Sequence, residues 1–146
     1  MAGECVFCRI ASGAVEAALV LEEEHAVAFL DYRPLFPGHC LLIPRAHYPS
    51  LAELPDNDAG PLFAAARTLC AAVEAALGAE GAFVAINNRV SQSVPHLHIH
   101  VVPRRKKDGL KGFFWPRGKY GDPSEMEAVR LKLRDAVERA RHSWRE

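Results

Sequence analysis

The stretch SVPHLHIHVVP (93–103) places His96, His98 and His100 at alternate positions, three of the seven histidines in the chain. Leu97, Ile99 and Val101 fill the gaps, with Val102 next. Strict alternation with branched apolar residues predicts a half-buried β-strand. On a strand the three imidazoles share one face, roughly 6–7 Å apart. The apolar residues between them fill the opposite face and are expected to pack on a helix. On a helix the same spacing would scatter the rings around the axis. Such a face can simply be solvated, but exposed strand faces are more often built from Thr, Lys, Glu or Arg. The row therefore points to a metal site, to general acid–base chemistry or to a nucleophilic imidazole.

A chain of 146 residues suits one domain, taken here as 1–146. Eighteen basic and eighteen acidic residues cancel, so whole-chain charge implies neither a nucleic-acid nor a membrane partner. No apolar run approaches the length of a transmembrane helix, and MAGECVFCRIASG lacks the pattern of a signal peptide. A cytoplasmic protein is the expectation. Cys40 and Cys70 lie inside apolar patterns and read as small core residues. Cys5 and Cys8 form a C-x-x-C pair, which has the spacing of a zinc knuckle.

Residues 17–31 read as two short strands with a turn near Glu23–Glu24. Residues 32–39, with Pro34, Pro37 and Gly38, read as a loop, and 39–45 as a strand ended by Pro44. The best helix is 55–78. Leu62, Ala66, Leu69, Val73 and Leu77 recur at helical spacing, Asp56–Asp58 supply acidic caps and Gly78 ends it. Residues 82–88 read as a strand, and NRVSQS as a tight polar loop. The stretch 104–120 carries seven Arg or Lys residues and the aromatics Phe113, Phe114 and Trp115. It reads as a solvated loop whose aromatics cover a dimer surface or sheet edge, or as a lid bringing Arg104, Arg105 or Lys106 to an anionic substrate. A last helix is expected over about 124–143, with Ser124 and Glu127 as a capping box and Met126, Val129, Leu133, Val137 and Ala140 as its stripe. Strands without regular βαβ alternation argue for an α+β fold: about five antiparallel strands, one long helix packed on the sheet and a C-terminal helix.

QSVPHLHIHVVP (92–103) resembles the signature of the histidine triad (HIT) family, in which a Gln precedes the three histidines. AFLDYRPLFPGHCLLIPRAH (28–47) is similar to the family's central strand–loop–strand, and CVFCRIASG (5–13) to the start of its zinc-containing bacterial members. INN (86–88) falls where the family keeps a polar contact to ribose or phosphate. The resemblance covers about residues 4–120. It implies a HIT-like fold, usually homodimeric, and a hydrolase or nucleotidyl transferase. Expected substrates are nucleoside phosphoramidates or dinucleoside polyphosphates, most simply adenosine-containing purine nucleotides.

By that resemblance His98 is the nucleophile and forms a nucleotidyl-histidine. His100 holds the ring and donates to phosphate oxygens, and His39 is the fourth active-site histidine. Asp31 accepts from ribose hydroxyls. Asn87 or Asn88, Gln92 and Ser93 are further substrate contacts. In the family's uridylyltransferase branch the third triad position is typically Gln, so His100 favours hydrolysis. The loop NNRVSQ lacks the Gly-rich stretch common before the Gln. The resemblance also implies a structural zinc held by Cys5, Cys8, His47 and His96, closed to substrate because four protein ligands complete a tetrahedron. A nucleotide-binding scaffold without catalysis is the alternative from a different functional class.

Overall fold

The computed structural model describes residues 4–111 and 118–143. Two compact units divide the chain, one up to Asp108 and one from Gly109. The first contains the strands β1 (Leu19–Glu22), β2 (Ala26–Leu30), β3 (Cys40–Pro44), β4 (Gly81–Ile86) and β5 (Ile99–Arg104). They form one antiparallel sheet in the order β1-β2-β3-β5-β4. This is the α+β architecture expected, with helices α1 (Val6–Ala11) and α2 (Asp56–Leu77) in the same unit.

The sheet's two faces are built from alternate residues. Ala28 of β2, Leu42 of β3 and Ile99 and Val101 of β5 meet Leu62, Ala65, Ala66 and Leu69 of α2 in one apolar cluster. Val27, Phe29, Leu41 and Ile43 face the other way and meet Phe7 and Ile10 of α1. Burying each such side chain contributes about 1.5–3 kcal/mol, which makes these two layers the main source of stability. By composition α2 is long and apolar enough to cross a membrane. Its contact with the sheet identifies it instead as the core helix.

Several boundaries differ from the sequence expectation. The regular ladder of β5 starts at Ile99, three residues after the histidine row begins. β3 ends at Pro44, so Leu97 instead donates its N–H to the Tyr48 carbonyl at 2.7 Å. β4 stops at Ile86, which leaves Asn87 and Asn88 in the loop. The N-cap of α2 is Pro55 rather than an aspartate. Asp56 and Asp58 lie in its first turn, where negative charge complements the helix dipole. Gly78 does end the helix, in the left-handed conformation at φ 63°. Helix α1 was not expected. Its signal was the i, i+3 pair Phe7 and Ile10, both buried.

Leu77 ends the expected stripe of α2 yet is 42% exposed. Its Cδ1 would lie 2.3 Å from a Cβ placed on Gly38, which has φ +100°. Glycine at 38 is therefore required twice, by backbone conformation and by close approach.

The second unit contains α3 (Pro123–Ser143). Its N-terminus corrects the expected Ser124–Glu127 box. Pro123 takes the first helical position, where its missing N–H costs nothing. Asp122 accepts from the Glu125 N–H at 2.9 Å and from the Ser124 hydroxyl. Glu127 instead pairs with Arg130 at 2.6 Å. Of the expected stripe, Val129 and Ala140 are half-buried, whereas Met126, Leu133 and Val137 are exposed. Phe113, Phe114 and Trp115 lie outside the described residues.

Candidate active site and metal centre

The histidine row is not a solvated face. His96 is 0% and His98 4% exposed, and His39 at the head of β3 is 3% exposed. Register explains how distant parts of the sequence meet. Leu41 pairs with His100 and Cys40 with Val101, which puts His39 beside His100 at one end of the sheet. The hairpin between β2 and β3 closes through the Asp31 N–H to the His39 carbonyl, 2.9 Å, which brings Asp31 to the same end.

Two clusters result. In the first, Cys5, Cys8, His47 and His96 each offer one atom, all within 4.8 Å of one another. Cys5 and Cys8 sulfurs stand 3.4 and 3.5 Å from His96 Nδ1, and His47 Nδ1 lies 3.3 Å from Cys8 Sγ and 3.2 Å from His96 Nδ1. A tetrahedral zinc site would space sulfur and nitrogen about 3.6 Å apart and two nitrogens about 3.3 Å. His96 Nε2–H donates to the Pro44 carbonyl at 2.9 Å, so its Nδ1 keeps a lone pair aimed at the sulfurs. A backbone carbonyl behind a ligating imidazole is how metal sites fix ring and tautomer. Burial, with the Cys5 sulfur beside it, holds the Cys8 thiol above its ordinary value, as expected for a pair whose natural counterion is a cation. The donor set and the distances suit zinc, and Cys5-x-x-Cys8 sits at the N-terminal end of α1, which carries it to the sheet.

The second cluster holds Asp31, His39 and His100, also within 4.8 Å. Its hydrogen bonds run the opposite way. The Leu35 N–H donates to His39 Nδ1 at 3.1 Å. The proton of His39 is therefore on Nε2, which donates to His100 Nδ1 at 3.0 Å. His100 then carries its proton on Nε2. That proton points into the cluster, so Asp31, His39 and His100 do not turn converging lone pairs to one point as the cysteine cluster does, and His39 and His100 form an ordered hydrogen-bonded chain. His98 Nδ1–H donates to the His96 carbonyl at 2.7 Å, which leaves a lone pair on Nε2. The His98 and His100 ring centroids are 5.1 Å apart.

Burial sets the charge state. It lowers His100 to about 4, helped by His98 and His39 and opposed by Asp31. It lowers His96 to about 4, with the Pro44 hydrogen bond opposing. His39 is also lowered by burial, with Asp31 opposing. Near pH 7 these rings are neutral, as a metal-ligating imidazole must be.

His98 and His100 open onto a cleft of about 860 Å³. Phe7, Ile10, Phe29, Leu41 and Val94 supply apolar walls, and Asp31 and Ser93 line it too. One Asp31 oxygen accepts from the Arg33 N–H at 2.9 Å, and the other lies 3.8 Å from His39 Nε2. An apolar pocket with a carboxylate and two imidazoles at its edge fits a nucleoside phosphate.

Gln92, Asn87 and Asn88 do not line this cleft. Gln92 donates to the Pro49 carbonyl at 2.6 Å and accepts from the Arg89 N–H at 3.0 Å. The Asn88 oxygen accepts from the Leu51 N–H at 2.8 Å. These bonds hold a loop without glycine in which Arg89 (φ 69°) and Ser91 (φ 58°) are both left-handed. Each such residue costs about 1–3 kcal/mol, which the cross-links offset. Phe7 is the site residue that sequence reasoning missed, because the knuckle's intervening residues were read only as spacing.

The HIT domain family model matches residues 12–107. The adenosine 5'-monophosphoramidase of Schizosaccharomyces pombe is 32% identical over 127 residues, covering 86% of this chain and 92% of that protein. A HIT family structure from Bacillus subtilis superposes with a TM-score of 0.82 at 30% identity, covering 90% of this chain and 96% of that one. A zinc-bound histidine triad protein of Mycobacterium smegmatis is 35% identical with a TM-score of 0.71, covering 98% and 99%. With the family match spanning well over half its length, this chain belongs to the HIT domain family.

Proposed function

We propose that this chain hydrolyses nucleotides at the α-phosphate through a covalent nucleotidyl-histidine on His98. The observation that supports it best is the tautomer pattern. His98 is held with its proton on Nδ1, which leaves Nε2 nucleophilic toward the cleft. His98 Nε2 attacks phosphorus, the P–N bond forms, and the bond from phosphorus to the leaving group breaks as the leaving group takes a proton from water in the open cleft. His100 Nε2–H, ordered from behind by His39, donates to the phosphate oxygens where charge accumulates. Water then attacks phosphorus, the P–N bond breaks, and a nucleoside monophosphate leaves.

Asp31 takes the ribose hydroxyls, the apolar walls take the base, and Ser93 meets the phosphate. Asn88 and Gln92 act as loop braces, and Asn87, exposed beside them, does not line the cleft. Cys5, Cys8, His47 and His96 hold zinc, which supplies a fixed cross-link between the N-terminal segment and the sheet. Residues 1–146 act as a single HIT domain, homodimeric and cytoplasmic. Adenosine phosphoramidates or dinucleoside polyphosphates are the substrates, in line with the phosphoramidase relative.

The test is chromatography of products from adenosine 5'-phosphoramidate, diadenosine tri- and tetraphosphate and their guanosine counterparts. Mononucleotide from the wild type and none from His98→Ala is expected. No turnover in either, with tight nucleotide binding in both, would replace hydrolysis by a binding scaffold.

A further inference from the structure

Phe7 is one of the apolar walls of the cleft, and the reaction scheme gives its ring no part in orienting His98. It lies between the two knuckle cysteines, on α1, and is 7% exposed. Its ring meets His98 in a T-shaped arrangement, centroids 5.1 Å apart and planes at 82°. It meets His96 in the same manner at 5.9 Å and 77°. Phe29 supports it from the sheet at 5.4 Å.

The His98 ring therefore rests on two supports. One is the His96 carbonyl, which fixes the Nδ1 proton. The other is the Phe7 ring, which limits rotation of the imidazole away from that carbonyl. Both supports trace back to the Cys5–Cys8–His47–His96 cluster. His96 supplies a donor atom to it, and Phe7 lies between its two cysteines in the sequence.

We propose that Phe7 is a positioning residue for the His98 imidazole, and that the cysteine knuckle influences the reaction through it. The kinetic half of this rests on His98 being the nucleophile, and the geometric half does not. An aliphatic residue of similar bulk at position 7 keeps the apolar wall and removes the ring contact, which separates positioning from packing. Such aromatic pairs are worth at most about a tenfold factor in an equilibrium or a rate.

The experiment uses Phe7→Leu, with Phe7→Met as a second variant should the first fail to fold, and Phe7→Tyr as rescue. The readouts are zinc content, kcat and KM on adenosine 5'-phosphoramidate, and the ring-nitrogen NMR shifts of His98 without nucleotide. Phe7→Leu is expected to keep one zinc per chain and a KM within about twofold of wild type. Its kcat falls by about three- to tenfold, and its His98 shifts move from a single tautomer toward the average of two. Phe7→Tyr restores both, and stripping zinc from the wild type with a chelator reproduces the shift change. Unchanged His98 shifts in Phe7→Leu, or a rise in KM alone, would overturn the proposal and leave Phe7 as a wall. Unchanged shifts in zinc-stripped wild type would overturn its link to the knuckle. A Phe7-dependent His98 spectrum in a wild type that turns over no substrate would sustain the positioning and refute the hydrolase reading.

Discussion

His96 and His98 are two residues apart, both buried, and both donate one ring proton to a backbone carbonyl. They differ in which nitrogen donates. His96 gives its Nε2–H to Pro44 and turns the Nδ1 lone pair to two sulfurs. His98 gives its Nδ1–H to His96 and turns the Nε2 lone pair to the cleft. One residue type thus offers Nδ1 to the cysteine cluster at one position and Nε2 to the cleft two residues on. The choice is made by the carbonyl behind each ring, not by the ring. The wider clusters follow the same division. Cys5, Cys8, His47 and His96 converge their lone pairs on one point, whereas His39 and His100 are joined in line by a hydrogen bond.

The largest expected effect is on the catalytic side. His98→Ala should lower kcat on adenosine 5'-phosphoramidate by at least about a thousandfold, because no other described group offers a lone pair at that place. Zinc content and thermal midpoint should stay near wild type. Next comes the metal side. Cys8→Ser should cost about 3 kcal/mol or more of stability and lower the thermal midpoint by roughly 10 °C, measured by calorimetry with zinc assayed in parallel. A stable Cys8→Ser protein with full zinc would erase the distinction between the clusters.

His39→Phe tests the hydrogen-bonded chain behind His100. It leaves the Leu35 N–H without its acceptor and His100 without its donor. A fall in kcat of about ten- to a hundredfold with zinc retained is expected. Gly38→Ala should be milder. It forces a Cβ into the left-handed region beside Leu77 and should cost about 1–2 kcal/mol, seen as a shift in the denaturation midpoint with kcat per folded molecule unchanged.

Acid probes both clusters at once. His100 and His96 lie near 4 when folded and near 6.5 when unfolded. Between those values the unfolded chain binds more protons, so stability is full above about pH 6.5 and declines as pH falls toward 4. The same protons compete with metal at His96, so chemical denaturation at stepped pH should show zinc release and loss of stability together. A stability that rises on acidification would contradict the buried neutral rings.

The five-stranded antiparallel sheet and α2 were legible in the sequence because each rests on a period, two for strands and 3.6 for the helix, whereas of the histidine row only His100 lies in a strand, His96 and His98 preceding β5. The Cys5, Cys8, His47 and His96 set was legible only through family resemblance, since no spacing rule joins residues 5 and 96. Tautomers were not legible at all. They depend on where the Pro44 and His96 carbonyls and the Leu35 N–H point once the strands have paired. Gln92 shows the same limit. Its place before the triad suggested a substrate contact, while the fold spends both ends of its amide on a loop containing two left-handed residues. At α3 a Ser–Glu spacing suggested a cap that Asp122 takes, because Pro123 starts the helix one residue earlier.

The central claim is that His98, alone of the buried histidines, becomes covalently nucleotidylated. The direct measurement is rapid acid-free quenching of wild-type protein with adenosine 5'-phosphoramidate, followed by intact mass and peptide mapping. A nucleotidyl adduct located on His98, formed within one turnover and absent from His98→Ala, is the predicted result. Turnover by the wild type with no adduct, together with an active His98→Ala, would contradict the account.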